Sequence, residues 1–293
     1  MNVALYGKSL NSYNLQPIKN AINKLEQLGA TLHINTELYE LIKPQVSFSS
    51  ILSIYESNTS LKNKADLLIS IGGDGTILNA LPLIKNTKIP IVGINTGRLG
   101  FLATINIEEI ENAISLISEG KGMVEERTLL SLESEFDFFG ENNFALNEFT
   151  LRANGNSAMI TIHVFNNGTL LNTYWADGLI ISTPTGSTAY SMSCGGPIVM
   201  PDSENFVITP IAPHNLNVRP LIISDKDIIT VKAVGRNKKF LVTLDSRSEV
   251  IDPEIELTVK KERFTASIIR LPHHDFPSTL REKLLWGLDF RNQ

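Results

Sequence analysis

A carboxylate held between glycines interrupts an apolar run at Gly72-Gly73-Asp74-Gly75-Thr76. Ala65 to Ile71 precedes it and Ile77-Leu78-Asn79-Ala80-Leu81 follows. An apolar run of that length, ended by Gly-Gly, reads as a buried strand entering a tight turn, and the Ile77 to Leu83 stretch as the start of a helix. A glycine turn feeding a helix start exposes unpaired backbone N–H groups, here at Gly73, Gly75 and Thr76, and such groups suit a phosphate. Asp74 is the odd member, since a bare carboxylate repels that phosphate. It makes sense if it takes a proton from an attacking hydroxyl or acts through Mg²⁺. That chemistry is phosphoryl transfer, set against the plainer reading of Gly-Asp-Gly as an ordinary turn. Leu78 stands where G-x-G-x-x-G needs its third glycine, and no G-x-x-x-x-G-K-[ST] occurs, which excludes a P-loop enzyme.

A second unusual segment runs from Asp177 to Ser191. Its Leu179-Ile180-Ile181 core reads as a strand that Pro184 and Gly186 break. Beyond it stand the hydroxyls of Ser182, Thr183, Thr185, Ser187, Thr188, Tyr190, Ser191 and Ser193. Small hydroxyl and glycine residues let a ligand approach the backbone and offer donors without fixed charge, which suits ribose hydroxyls, amides and phosphate oxygens. The alternative is a polar connection between a strand and a helix of small residues. Asn147-Glu148 places an amide and a carboxylate inside the β-compatible run Ala145 to Leu151; they either bond the local backbone or hold a ligand. Asn95 to Leu102 follows another apolar strand, and its Arg98 either faces phosphate or pairs with a surface acid.

These residues need two kinds of scaffold. The first third alternates strand and helix patterns: a strand at Asn2 to Gly7, helical spacing at Ile18, Ala21, Ile22 and Leu25 stopped by Gly29, strands at Thr31 to Ile34, Ala65 to Ile71 and Ile89 to Ile94, and a helix over Ile107 to Ser118. Such alternation predicts an α/β domain, residues 1–126, with a Rossmann-like, mostly parallel sheet whose ligands sit beyond the strand ends. From Arg127 short β-rich runs take over, among them Phe144 to Arg152, Met159 to Phe165, Leu170 to Ala176, Phe206 to Ile211, Phe240 to Leu244, Ile255 to Val259 and Phe264 to Leu271. Asn167-Gly168 is a hairpin signal. The reading is an all-β, sandwich-like domain over residues 127–275. Thr279 and Glu282 then offer a capping box for a closing helix in 276–293 with Leu284, Leu285 and Trp286, packing back on the first domain.

Composition excludes several classes. The 293 residues are 42% hydrophobic and 19% charged with a net charge of −5, which argues against nucleic-acid binding. No apolar stretch is long enough for a membrane span and the N-terminus lacks a signal-peptide pattern. The single cysteine, Cys194, fits a reducing cytoplasm and reads as a packing residue rather than a nucleophile. The five histidines show no zinc spacing, so no metal-ligating residues are assigned; His273-His274 reads as solvated loop.

The motifs together resemble the NAD kinases: Gly72 to Thr76, Asn95 to Leu102, Asn147-Glu148, Asp177 through Tyr190, and Ile211-Ala212-Pro213-His214, in order and spacing from about Ala65 to Pro220. The first motif is shared with lipid kinases and, more loosely, phosphofructokinases; Thr183 to Tyr190 is far more specific. The resemblance implies transfer of phosphate from ATP, with a divalent metal such as Mg²⁺, to the 2′-hydroxyl of the adenosine ribose of NAD. Asp74 matches the proton acceptor. Asn147, Glu148 and Asp177 match NAD contacts, Thr188, Ala189, Tyr190 and Ser193 match the segment embracing the dinucleotide, partly across subunits, and Ala212 joins the binding set. A homodimer or homotetramer is implied. Asn79 stands where many relatives carry a basic residue, and Asp245-Ser246-Arg247 replaces the more usual Asp-Gly-Gln. Arg247 either adds charge near a 2′-phosphate or substitutes for the missing basic contact. The competing readings are a lipid or sphingoid kinase, which needs an apolar or membrane-facing surface, and a non-catalytic dinucleotide-binding regulator, which has no need of Asp74.

Overall fold

The computed structural model describes residues 1–9, 14–49, 52–56, 61–154, 159–234, 239–253 and 255–286. The end of the expected closing segment, 287–293, lies outside the described residues. The chain forms two compact units, residues 1–126 with 266–293, and residues 127–265.

The first unit contains β1 (Asn2–Tyr6), α1 (Leu15–Gln27), β2 (Thr31–Asn35), α2 (Thr36–Ile42), β3 (Leu52–Tyr55), β4 (Leu67–Ile71), α3 (Asp74–Ile84), β5 (Ile91–Asn95), β6 (Ile105–Asn106) and α4 (Ile110–Ser118). The strands pair in parallel in the order β3-β2-β1-β4-β5. All five residues of both β4 and β5 are buried, as a parallel strand covered on both faces requires. Ile18, Ile22 and Leu25 of α1 and Ile110, Ala113 and Ile114 of α4 share one core with Leu67, Ile69 and Ile71 of β4. Each Ile or Leu among them contributes about 1.5–3 kcal/mol by leaving water. Gly29, at φ 70°, ends α1 in the left-handed conformation that glycine adopts without strain. α3 lies close over β5 because Gly93 has no side chain: a Cβ there would meet Ile77 Cδ1 at 2.5 Å.

The second unit is all-β apart from short helical turns. It is built from β7 (Met123–Glu133), β8 (Phe144–Ala145), β9 (Glu148–Ala153), β10 (Ile160–Asn166), β11 (Thr169–Ala176), β12 (Gly178–Ser182), α5 (Tyr190–Ser193), β13 (Asn205–Ile211), β14 (Leu221–Ser224), β15 (Ile229–Val234), β16 (Phe240–Leu244), β17 (Arg247–Ile251) and β18 (Glu256–Arg270). One antiparallel sheet runs β14-β13-β12-β9-β16-β17; in the other, β11-β10-β15 continues onto the start of β18. Phe149, Leu151, Leu179, Ile181, Phe206 and Val242 of the first share a core with Ile162, Val164, Val231 and Leu257 of the second, which makes the sandwich. Asn167 and Gly168, both at positive φ, turn β10 into β11.

Two expectations are corrected. The strands read at Ile255 to Val259 and Phe264 to Leu271 are one strand, β18, because Lys260-Lys261-Glu262-Arg263 is charged but holds no Gly or Pro to stop the ladder. The closing helix α6 (Phe276–Leu284) starts earlier than the Thr279 capping box would put it. Its cap is Asp275, which accepts the Ser278 N–H at 2.7 Å with Pro277 in the first turn, while Thr279 back-bonds the Asp275 carbonyl inside the helix. Leu285, left-handed at φ 56°, and Trp286 lie beyond its end.

Candidate active site

In the first unit, β4 delivers its last residue, Ile71, into the glycine turn. Gly72 takes φ 153°, and a Cβ there would fall 2.1 Å from Thr76 Oγ1. Gly73 is the N-cap and Asp74 the first residue of α3, so the carboxylate stands at the positive end of an eleven-residue helix. Apart from the adjoining backbone, no described residue lies within 4 Å of a Cβ built on Gly73 or Gly75, which leaves open space at both glycines flanking Asp74.

The carboxylate is anchored from the loop after β5. Asp74 Oδ1 accepts the N–H groups of Leu102 (3.0 Å) and Ala103 (2.8 Å), and Oδ2 accepts that of Phe101 (2.8 Å). Gly100 permits the approach, since a Cβ there would stand 1.9 Å from Asp74 Oδ1. The loop is itself fixed. Arg270, 2% exposed, donates to the Phe101 carbonyl (2.9 Å) and Thr104 Oγ1 (3.1 Å). Lys283 Nζ reaches the Leu99 carbonyl at 2.5 Å, and Asn95 Oδ1 accepts the Gly97 N–H at 2.7 Å. Arg98 is exposed. His274, expected in solvated loop, bonds the Thr104 carbonyl through Nδ1 at 3.1 Å.

In the second unit, the ends of β8 and β12 bring Asn147 and Glu148 beside the hydroxyl-rich segment. Thr183 N–H donates to the Asn147 carbonyl at 2.9 Å, and Glu148 lies opposite Ser182 in the ladder. Gly186 fits against Asn147, whose carbonyl oxygen would be 2.0 Å from a Cβ at 186. Burial, and then the neighbouring Asp245 carboxylate, push the Glu148 carboxyl up to about 8, opposed by a bond from the Tyr190 N–H. Glu148 Oε2, Ser182 Oγ and Thr185 Oγ1 are buried without a partner among the described residues. Buried polar atoms of this kind are costly unless a ligand or water completes them.

Most of the other hydroxyls hold the segment to its own unit. Thr183 Oγ1 donates to the Leu146 carbonyl, Ser187 Oγ to that of Pro184, Thr188 Oγ1 to that of Thr185, and Ser191 bonds Thr209 at 2.8 Å. Ala189 is half-buried, and Tyr190 (36% exposed) and Ser193 face outward. Burial raises the Cys194 thiol above its ordinary range, against nucleophilic use.

Asp177 and Ala212 are placed elsewhere. Asp177 precedes β12, its N–H donating to Ile211 at 2.9 Å, and Ala212 follows Ile211 at φ 44°. They flank the start of β12, whereas Glu148 and Thr188 lie near its end, five residues or about 14–17 Å away. Arg247 spends its guanidinium on the carbonyls of Asn142 and Phe144 and lies 4.0 Å from Asp245. Sequence reasoning noted Asp245 but gave it no role, though its carboxylate accepts the N–H groups of Leu146, Asn147 and Glu148, and it missed Arg270. The glycine at 100 was the one trace of the Asp74 anchor in the sequence.

Residues 24–122 match the family described as the ATP-NAD kinase N-terminal domain and residues 146–271 the ATP-NAD kinase C-terminal domain. The NAD kinase of Cytophaga hutchinsonii is 46% identical over 293 residues, 100% of both chains. That of Bacteroides fragilis is 40% identical over 292 residues, 99% of this chain and 100% of its own. Yeast NADH kinase, solved with NADH, shares the fold with a TM-score of 0.85 at 24% identity, over 100% of this chain and 90% of its own. An NAD kinase from Archaeoglobus fulgidus, solved with ATP, gives 0.75 at 26%, over 95% of this chain and 98% of its own.

Proposed function

The chain belongs to the ATP-NAD kinase family, and from that premise we propose that it transfers the terminal phosphoryl group of ATP to the 2′-hydroxyl of the adenosine ribose of NAD, giving NADP and ADP. The observation that carries the mechanism is the presentation of Asp74: a carboxylate fixed by three N–H donors, with open glycine backbone on either side. Oδ2 accepts a single one of those bonds, so it keeps a lone pair for a substrate hydroxyl. As the ribose oxygen forms its bond to phosphorus, the bond from phosphorus to the ADP oxygen breaks and Asp74 takes the hydroxyl proton. The N–H groups at Gly73 and Gly75 receive phosphate oxygens at the helix start, while that of Thr76, expected to join them, is spent on the Gly73 carbonyl at 2.9 Å.

Asn147 and Glu148 bind the adenosine part of NAD, with Thr188, Ala189, Tyr190 and Ser193 around it. The buried, unpartnered Glu148 Oε2 supports this, because a ribose hydroxyl or adenine amino group completes it. Asp177 and Ala212, at the other end of β12, meet a remote part of the dinucleotide or one held by a second copy in a homodimer or homotetramer. Arg247 acts through the backbone it grips. A divalent cation such as Mg²⁺ would neutralise phosphate charge when bound, held by the ATP phosphates rather than by a cluster of acidic side chains, which is not found among the described residues. No helix among the described residues is long and apolar enough to cross a membrane, and we place the enzyme in the cytoplasm.

The test is incubation of the purified protein with NAD, ATP and Mg²⁺, coupled to an NADP-specific dehydrogenase. NADP formation supports the reading. Phosphorylation of vesicle lipid without NADP replaces it with a lipid kinase.

A further inference from the structure

The turn between β16 and β17 grips the chain around Asn147 and Glu148. Asp245, left-handed at φ 52° and with its side chain 1% exposed, accepts the N–H groups of Leu146 and Asn147 at 2.8 Å each and of Glu148 at 3.2 Å. Its own N–H returns a bond to the Glu148 carbonyl at 3.0 Å. Two residues on, Arg247 donates to the carbonyls of Asn142 and Phe144 and lies 5.4 Å from the centre of the Phe144 ring. A buried carboxylate is costly, and apolar residues brace a turn more cheaply. This one spends its bonds on the two residues assigned to the dinucleotide and on the residue before them.

We propose that Asp245 is a positioning residue for dinucleotide binding, with Arg247 as its second anchor, so that the turn Leu244–Arg247 fixes the backbone from which the Asn147 amide and the Glu148 carboxyl meet NAD. Arg247 then has a part of its own: the guanidinium holds the approach to β9 while the aspartate holds its start. The inference rests on the NAD-kinase reading. Glu148 faces Asp245 from the turn, Cys194 from the end of α5 and the Tyr190 N–H, so the charge on Asp245 also sets when Glu148 ionises.

The test is NAD binding by calorimetry across pH, with NADP formation measured alongside, in wild type and Asp245→Asn. The amide keeps the side chain's shape but turns an N–H donor toward a backbone N–H. NAD affinity is expected to fall about tenfold or more, with ATP affinity within about twofold of wild type. The inflection that Glu148 gives the pH profile of NAD affinity is expected to move toward acid. A merely structural brace lowers stability without moving that inflection or separating NAD from ATP. Unchanged NAD affinity in folded Asp245→Asn overturns the inference. Should that variant not fold, Arg247→Gln decides in its place: weakened NAD binding with ATP binding kept supports the inference, and unchanged NAD binding overturns it. A wild type that binds NAD but forms no NADP overturns the functional reading instead.

Discussion

Asp74 in the first unit and Asp245 in the second are held by the same device: each carboxylate accepts three successive backbone N–H groups, from Phe101 to Ala103 in one case and from Leu146 to Glu148 in the other. Their surroundings differ. Asp245 is fully enclosed, burial raises its carboxyl despite the three bonds, and Arg247 stands 4.0 Å away. Asp74 is half-exposed at the start of α3, with glycine on either side and no cation bonded to it among the described residues. Three N–H bonds fix a carboxylate to a loop, and exposure decides which partner is being held. Where the carboxylate is enclosed, it holds the loop; where one edge is open, the loop holds the carboxylate toward solvent, as the role proposed for Asp74 requires.

Removing the open-edged carboxylate carries the largest effect. Asp74→Asn is expected to lower kcat by about 10²–10⁴, with NAD affinity retained, measured by coupled NADP formation and calorimetry. Gly100→Ala tests the clamp without touching the base. The added methyl would overlap Asp74 Oδ1, so the carboxylate or the loop must move by an ångström or more. A fall in kcat of about 10² is expected, with about 1–3 kcal/mol of lost stability by denaturant unfolding. A Gly100→Ala protein with full activity breaks the comparison. In the other unit, Asn147→Ala is expected to raise the KM for NAD about tenfold with little change in kcat.

The least direct effect is in the pH dependence of stability. Native Glu148 holds its proton up to about 8, whereas the unfolded chain gives it up at the ordinary value of 4.5. Unfolding between those values releases a proton, so this contribution is intact below 4.5 and is lost progressively as pH rises toward 8. Glu148→Gln is expected to flatten that slope in chemical unfolding at several pH values. An unchanged slope removes Glu148 from the buried, high-pKa role that the Asp245 neighbourhood gives it.

The sequence made the local parts of this arrangement legible. The strand, glycine turn and helix around Asp74 are written in adjacent residues, and Asn147-Glu148 stood out as polar groups in a β run. The anchors were not legible, because their donors are backbone N–H groups 27–29 residues from Asp74 and 97–99 from Asp245, which carry no residue signature. The hydroxyls around the end of β12 look alike in the sequence but differ in the fold: those of Ser187, Thr188 and Ser191 bond within their own unit, while Ser182 Oγ and Thr185 Oγ1 are buried with no partner among the described residues. The edge strands β14 and β17 escaped notice because a short half-exposed run and a charged one lack the two-residue alternation of a half-buried strand.

The most direct test compares Asp74→Asn and Asp245→Asn side by side, each assayed for NAD binding and for NADP formation at saturating NAD. Asp74→Asn should bind NAD and fail to transfer phosphate, while Asp245→Asn should bind NAD weakly and transfer phosphate once saturated. Asp74→Asn turning over at the wild-type rate would contradict the assignment of the open-edged aspartate as the base.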